Sequence, residues 1–390
     1  MDRLVYMDNN ATTPMAQEVA DIMRDSIGLY GNASSMHTSG RDADAAIEWA
    51  RSNVASLISG DKSGVYFTSG ASESNNTVFN IFRELIDEGS KRNRIVTSTI
   101  EHPSIIEDVK YLKEKGYKID LVNVDKYGMV KLDELKSLMG DDVALVSIMT
   151  ANNETGTIQP VKEAAKIAHA AGAYMHTDAT QAIGKIPVSV VDMDVDYLSC
   201  SGHKFYGPKG IGVLYAKPGV PLRPYIHGGH QEKGYRAGTY NTLSIAGLGE
   251  AALLAKENLQ EEHDKLWALR EKLRKGIIER IPHVVVNGHP TECLPGTLDV
   301  SFPTAEGESI LLYLDMDGIE VSTGSACATG SLEPSYVLLA SGLDVELAHG
   351  SIRFSLGRYN TEADVDYVLE KLPPIIARVR KMSTRKLGEV

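Results

Sequence analysis

Residues 174–210 read YMHTDATQAIGKIPVSVVDMDVDYLSCSGHKFYGPKG. Two apolar runs in it, Tyr174–Thr177 and Tyr197–Ser199, predict strands, and each leads straight into polar residues. The first reaches Asp178 and the second reaches Ser201-Gly202-His203-Lys204. Near-continuous apolar runs are how strands buried on both faces read. Five more such runs are Gly64–Thr68, Arg94–Ser98, Lys118–Val122, Val143–Met149 and Gly212–Tyr215. Helical patterns at Ser72–Asp87, Ser104–Lys115 and Val161–Ala170 separate them. Strand–helix alternation predicts an α/β domain with a mostly parallel sheet. An acid at the C-terminal end of a parallel strand, as at Asp178, stands where such sheets place ligands.

Beyond about Leu243 the pattern changes. Leu266, Leu269, Leu273, Ile277 and Ile281 lie on one face of a long helix, which Pro282 stops. Strands near Val284–Val286 and Leu298–Ser301, a helix near Glu308–Asp317 and a strand at Ser351–Ser355 follow. Thr361, with Asp364 three residues on, opens a last amphipathic helix in capping-box fashion. This predicts a large domain over 15–257 and a small α+β domain from 1–14 and 258–390.

Composition narrows the function. The chain has 390 residues with 40 basic and 52 acidic side chains, a net charge of −12 that disfavours nucleic acid or an anionic membrane as partner. Three cysteines make no disulfide framework and point to thiols in a reducing, cytoplasmic setting. No apolar run approaches a membrane span, and the N-terminus has no signal-like apolar core. The P-loop, dinucleotide, HExxH and paired CxxC patterns are all absent.

The segments that carry chemistry are of another kind. Lys204 stands between a strand and a Gly/Pro turn, and a lysine in an apolar pocket can form a Schiff base with an aldehyde cofactor. Asp178 beyond the neighbouring strand can keep a pyridine nitrogen protonated, the pairing pyridoxal phosphate needs. Phe67-Thr68-Ser69-Gly70-Ala71-Ser72 passes from strand through glycine into helix, which makes an anion site of backbone N–H groups. His102 in Glu101-His102-Pro103-Ser104 can stack on a flat ring. Ser322–Gly330 is rich in small residues, so its Cys327 should be accessible on a mobile loop. Each also has a plain reading: Asp178 and the Ser/Thr segment as helix caps, His102 as an N-terminal helix residue, Lys204 as a solvated loop lysine, Cys327 as a loop thiol. Cys200, in an apolar strand, reads as a small buried hydrophobe, and Cys293 as an ordinary loop cysteine.

Taken together, the segments TSGASESNN, EHPSI, ANNETGT, HTDATQAIGK, SGHKFYGPKGIG, RAGT, GSACATGSLEPSYVL and SIRFSLGR resemble the NifS/IscS family of cysteine desulfurases, within the class V aminotransferase superfamily. The resemblance runs from Tyr6-Met7-Asp8-Asn9-Asn10 to Gly357-Arg358, and GGHQEKGYRAGTYNT is closer to the NifS branch. It implies a pyridoxal-phosphate-dependent transferase of fold type I, with a seven-stranded sheet in the large domain. Lys204 would hold the cofactor and shuttle the substrate's α-proton. Asp178 would pair with the pyridine nitrogen, Gln181 would reach the ring's phenolic oxygen, and His102 would stack on the ring. Ala71, Ser72, Ser201 and His203 would hold the phosphate, and Asn153 would lie beside the cofactor and the substrate carboxylate. Thr239 would reach the cofactor phosphate of a second subunit, which implies a homodimer. Arg353 would take the carboxylate of L-cysteine, and Cys327 would take its sulfur as a persulfide for an acceptor or iron–sulfur scaffold protein. No resident metal is implied, although Cys327 is also open to a transient cluster. The tail from Lys381 does not resemble the IscS tail that meets the scaffold.

Selenocysteine lyase and class V aminotransferase are the alternatives. The aminotransferase leaves Cys327 without a use, whereas the lyase would employ the same residues. A binding module that had lost activity would not need Lys204, Asp178, His102, Arg353 and Cys327 together. A metal hydrolase built on His176, Asp178 and His203 would explain fewer residues.

Overall fold

A two-residue strand, β1 (Val5–Tyr6), opens the chain in the computed structural model, which describes residues 3–324 and 333–383. Helices α1 (Gln17–Asp25) and α2 (Thr38–Leu57) follow. The chain then alternates β2 (Val65–Thr68), α3 (Ala71–Asp87), β3 (Arg94–Ser98), α4 (Pro103–Glu114), β4 (Lys118–Val122), α5 (Leu132–Leu138), β5 (Val143–Ser147), α6 (Val161–Ala170) and β6 (Tyr174–Asp178). It continues through β7 (Tyr197–Ser201), β8 (Gly212–Ala216), α7 (Thr242–Glu257) and α8 (Leu259–Arg280). The last third holds β9 (Val285–Asn287), β10 (Thr297–Ser301), α9 (Gly307–Met316), β11 (Ile319–Glu320), α10 (Tyr336–Ala340), α11 (Val345–His349), β12 (Ser351–Ser355) and α12 (Glu362–Met382).

Seven strands form one sheet in the order β2-β8-β7-β6-β5-β3-β4. Only β8 runs against its neighbours, β2 and β7; the other pairs are parallel. Side chains alternate between the two faces as the pleat requires. Tyr66, Ile95, Leu145, Tyr197 and Leu214 join one core, shared with α3 and α4. Phe67, Val96, Val146, Leu198 and Val213 join the other.

A separate core gathers the apolar face of α8 (Leu266, Leu269, Leu273, Ile277) with β10, β12 and α12. Val5 and Met7 from the N-terminus belong to it, because β1 pairs in parallel with β11. Its antiparallel sheet has the order β12-β10-β9. Thr361 and Asp364 form the reciprocal capping box at the head of α12. Pro373 and Pro374 lie within that helix. The carbonyl of Leu369 cannot receive a bond from Pro373, and Nη1 of Arg280 donates to it instead at 2.8 Å.

Arg94–Ser98, Lys118–Val122, Val161–Ala170 and Ser351–Ser355 fall where the sequence places them. Other bounds move by a residue or two. β5 ends at Ser147 rather than Met149, whose N–H donates at 3.0 Å to a side chain, Oε1 of Glu101. Cys293 is not an open loop thiol: it is buried and bridges in antiparallel fashion to Thr157. Cys200 is buried in β7, and burial pushes its thiol up to about 12.

Candidate active site

The C-terminal ends of β6 and β7 and the heads of α3 and α4 surround a cavity of about 620 Å³. Arg353, from β12 of the second core, closes another side. Ala71, Ser72, His102, Asn153, Asp178, Gln181, Ser201, His203, Lys204 and Arg353 all line it. Thr239 does not line it and is exposed. Cys327 lies outside the described residues.

Asp178 ends β6 with both carboxyl oxygens occupied. Oδ1 accepts the Thr180 N–H at 2.9 Å, the capping-type bond open to it from the sequence, although no helix follows. Oδ2 accepts Nδ2 of Asn75 at 2.7 Å. Asn75, on α3, also donates to Oγ of Ser104 at 2.9 Å, and Ser104 lies 2.9 Å from Nδ1 of His102. One hydrogen-bonded chain therefore ties Asp178 to His102. Nδ1 of His102 also accepts the Ser104 N–H at 3.1 Å, which caps α4. A ring nitrogen that accepts a backbone N–H carries no proton, so the neutral ring holds its proton on Nε2. Burial pushes the pKa of His102 down, and Lys204 adds to this against Asp178.

Lys204 ends a short 3₁₀ turn after β7. Its Nζ donates to the carbonyls of Asn10 and Ala11, each at 2.7 Å. Two residues on, Tyr206 takes a left-handed backbone (φ 67°), strained for a residue with a side chain. Its N–H donates to Oγ1 of Thr13 at 2.7 Å, and its hydroxyl accepts the Arg358 N–H at 2.6 Å. His203 lies 3.1 Å from the Thr12 hydroxyl, and burial, then Lys204, pushes it down to about 4.

The head of α3 has the makings of an anion site. The N–H groups of Ala71 and Ser72 stand at the start of a helix with no carbonyl before them. The cradle is tight: a Cβ on Gly212 would lie 2.6 Å from Cα of Gly70. Glu73, which also lines the cavity, is paired with Arg236, whose Nε donates to Oε1 at 2.9 Å. The Ser69 N–H donates to its other oxygen at 2.7 Å.

Arg353 is buried. Nη1 donates to the Asn153 carbonyl at 3.0 Å and Nη2 to Oδ1 of Asp8 at 2.8 Å. Its Nε and Oδ1 of Asn153 are buried without a partner among the described residues. Orphaned polar atoms in a pocket wall mark where a ligand's groups fit. The tight cradle, the helix head, the lysine and these orphans suit a flat, phosphorylated aldehyde cofactor and a carboxylate beside it.

Sequence reasoning missed Asn10, Asn75, Asp8 and Lys185. Asn10 is the hub: its carbonyl accepts both Lys204 and Nε2 of Gln181, and its Nδ2 donates to the Asn153 carbonyl and to Oγ1 of Thr297. The polar run Asp8-Asn9-Asn10 at the edge of an apolar strand was the available signal. A metal site at His176, Asp178 and His203 does not fit. Both ring nitrogens of His176 are engaged, Nδ1 with Ser147 at 2.8 Å and Nε2 with Ser199 at 3.0 Å.

A parallel sheet whose strand ends present a lysine, an acid and a helix-borne anion site defines a class. The model of the family described as aminotransferase class-V matches residues 5–368, and the chain belongs to that family. Cysteine desulfurase IscS of Methanosarcina thermophila is 46% identical over 98% of this chain and 94% of the relative. Cysteine desulfurase NifS of Azotobacter vinelandii is 43% identical over 97% of this chain and 94% of the relative. Among solved structures, a NifS-like protein superposes with a TM-score of 0.91 at 42% identity, covering 96% of this chain and all of that one (100%). Within its family, then, the chain falls among the cysteine desulfurases of the IscS and NifS kind.

Proposed function

We propose that the chain is a pyridoxal-phosphate enzyme that takes sulfur from L-cysteine, leaves L-alanine, and holds the sulfur as a persulfide on Cys327 for an acceptor protein. The balance is L-cysteine plus one protein thiol giving L-alanine plus one protein persulfide: a C–S bond breaks and an S–S bond forms. What carries the reading is the convergence of Lys204, Asp178, the head of α3 and Arg353 on one cavity. The cysteine desulfurase relatives support the substrate, and the solved SspA, 32% identical, is described as in complex with cysteine.

When bound, the cofactor supplies an electron sink that stabilises negative charge at the substrate's α-carbon. Ala71, Ser72, Ser201 and His203 hold its phosphate, Asp178 its ring nitrogen and His102 its ring face. Lys204 anchors it and carries the α-proton. His203, with its proton affinity held low, serves the phosphate as a neutral donor. Arg353 takes the substrate carboxylate in a charge-assisted bond, with Asn153 beside it. Cys327 must stay a free thiol that can ionise if it is to accept sulfur, which a reducing setting such as the cytoplasm favours. Among the described residues no helix is long and apolar enough to cross a membrane.

The functional unit is a homodimer. Thr239 is exposed and away from its own cavity, as a residue serving a second copy's phosphate would be. Arg236, three residues before it, is fixed to Glu73 at the head of α3. Iron–sulfur cluster assembly is the expected destination of the sulfur.

The test is spectroscopic and chemical. The protein loaded with pyridoxal phosphate should be yellow, and borohydride should bleach it and fix the cofactor on Lys204. L-cysteine should yield alanine with a persulfide on Cys327 detected by mass. Cys327→Ala should stay yellow yet release no sulfide. Sulfide at the parent rate from Cys327→Ala would end the persulfide role, and protein that takes up no cofactor would end the whole reading.

A further inference from the structure

The stretch HTDATQAIGK ends on Lys185, a residue the proposed function leaves idle. We infer that Lys185 is a positioning residue, which acts through Gln181 to keep one end of that amide turned to the cofactor pocket. The inference rests on pyridoxal phosphate being bound at Lys204.

Part of Lys185 touches solvent, but its amine end turns inward to two buried amides. Nζ donates to Oε1 of Gln181 at 2.6 Å and to Oδ1 of Asn10 at 2.9 Å. The oxygen and nitrogen of a glutamine amide exchange places by a simple flip, so only its neighbours decide which faces where. Here both neighbours decide alike. On one side Lys185 offers N–H donors, which need Oε1. On the other the Asn10 carbonyl, a pure acceptor, takes Nε2 at 2.8 Å. Asn10 cannot swing away to relieve this. Its own amide is fixed by donation to the Asn153 carbonyl at 3.1 Å and Thr297 at 2.9 Å. Gln181 lines the cavity, so the second hydrogen on Nε2 is what remains to face a ligand there. Without Lys185 the buried Oε1 loses its donor, and the amide gains reason to turn.

Burial, and then the facing Lys204 and Arg353, hold the proton affinity of Lys185 well below the usual. Asp178, His102 and His203 stand around the same cavity, with Glu73 and Lys209 also lining it. A ring oxygen of the bound cofactor that took the remaining Nε2 hydrogen of Gln181 would be stabilised by a donor chain ending in Lys185. Such stabilisation weakens that oxygen's hold on the proton of the adjacent Schiff-base nitrogen. The visible band of the loaded protein should then titrate at lower pH than it would without Lys185.

The experiment is a pH titration of the visible band in the holoenzyme, for the parent, Lys185→Met, Gln181→Ala and the double variant. Lys185→Met should move the midpoint up by about one pH unit, a tenfold change in proton affinity, and should add little in the Gln181→Ala background. An unmoved midpoint in Lys185→Met overturns the inference while a yellow parent leaves the functional reading standing. An equal shift in both backgrounds also overturns it, since Lys185 would not then act through Gln181. Lys185→Arg, which keeps N–H donors, should hold the parent midpoint. It decides the matter if Lys185→Met does not fold, and a midpoint displaced as far as in Gln181→Ala is the contrary result. A parent that shows no band brings down both readings.

Discussion

The two sides of the cavity are built differently. On the sheet side the groups that would meet the cofactor have partners before any ligand arrives, although Oδ1 of Asn75, Oγ1 of Thr180 and Oε2 of Glu101 find none among the described residues. Asp178 uses both oxygens, His102 caps a helix, and Lys204 donates to two carbonyls. On the arginine side the groups come from separate stretches of chain and some are left over. Arg353 reaches Asp8 and Asn153 but keeps Nε unpaired, and Oδ1 of Asn153 and Oδ2 of Asp299 are orphaned. Burial pushes Glu154 up to about 8 and Asp299 up to about 7, although Arg353 acts the other way on each. Burial therefore favours the protonated form of Glu154, which weakens its claim on the Arg353 charge. A side whose acid, histidine and lysine are already braced suits a group held permanently, and a side with a spare guanidinium donor suits one that comes and goes.

The largest effect that would break this contrast is at Lys204. Lys204→Ala should lower cysteine turnover by at least ~10²–10⁴-fold, the range for loss of a positioned acid–base group. Borohydride should no longer fix the cofactor covalently. Turnover of cysteine near the parent rate would mean that the sheet side is only scaffolding. Glu232 tests how firmly that side is braced. It binds buried Arg51 through both oxygens, each at 2.9 Å, and accepts the Phe67 N–H of β2 at 3.2 Å. Glu232→Ala leaves buried Arg51 only the Glu48 carboxylate at 2.8 Å and the Val65 carbonyl at 2.7 Å, and should cost about 3–5 kcal/mol in urea unfolding. A loss below ~1 kcal/mol would show a pair exchanged for water at no cost.

Arg353→Gln should act on the other side alone. Loss of a charge-assisted pair costs about 1.5–3 kcal/mol, or roughly 10–100-fold in kcat/KM for cysteine. The visible cofactor band should survive. A variant that also loses the cofactor would show that the two sides are one unit.

Much of the sheet side was legible in sequence because strands covered on both faces announce themselves as apolar runs. The lysine and the acid that follow β7 and β6 could be placed by topology alone. The antiparallel turn of β8 was not legible, since its run GVLYA reads like any other buried strand. Nor was the pairing of β1 with β11, two residues on each side, which brings Asp8 to Arg353. Asn10 and Lys185 were missed for the same reason. Each matters through bonds to residues far along the chain, and a lone lysine after Ala-Ile-Gly reads locally as solvated.

The last expected effect concerns pH and separates the two sides most cleanly. Burial pushes Glu101, on the sheet side, up to about 8 from the usual 4.5, and its Oε2 has no partner among the described residues. Between those values the folded chain holds a proton that the unfolded chain has released. Stability therefore falls as pH rises through that window and levels off above it, by up to ~1.4 kcal/mol per pH unit for one proton. Glu154 behaves likewise on the arginine side. His176 and His203, both pushed down to about 4, work oppositely and cost stability as pH falls below about 6.5. In unfolding measured from pH 5 to about pH 8, Glu101→Gln should flatten the decline by about one proton's worth. The sharper comparison adds Arg353→Gln. Arg353 lowers the proton affinity of Glu154 but is no influence on Glu101. Its removal should push the Glu154 carboxyl further up and extend that part of the decline to higher pH. The part removed by Glu101→Gln should stay where it was. If both parts move together, the two sides share one electrostatic environment and the contrast fails.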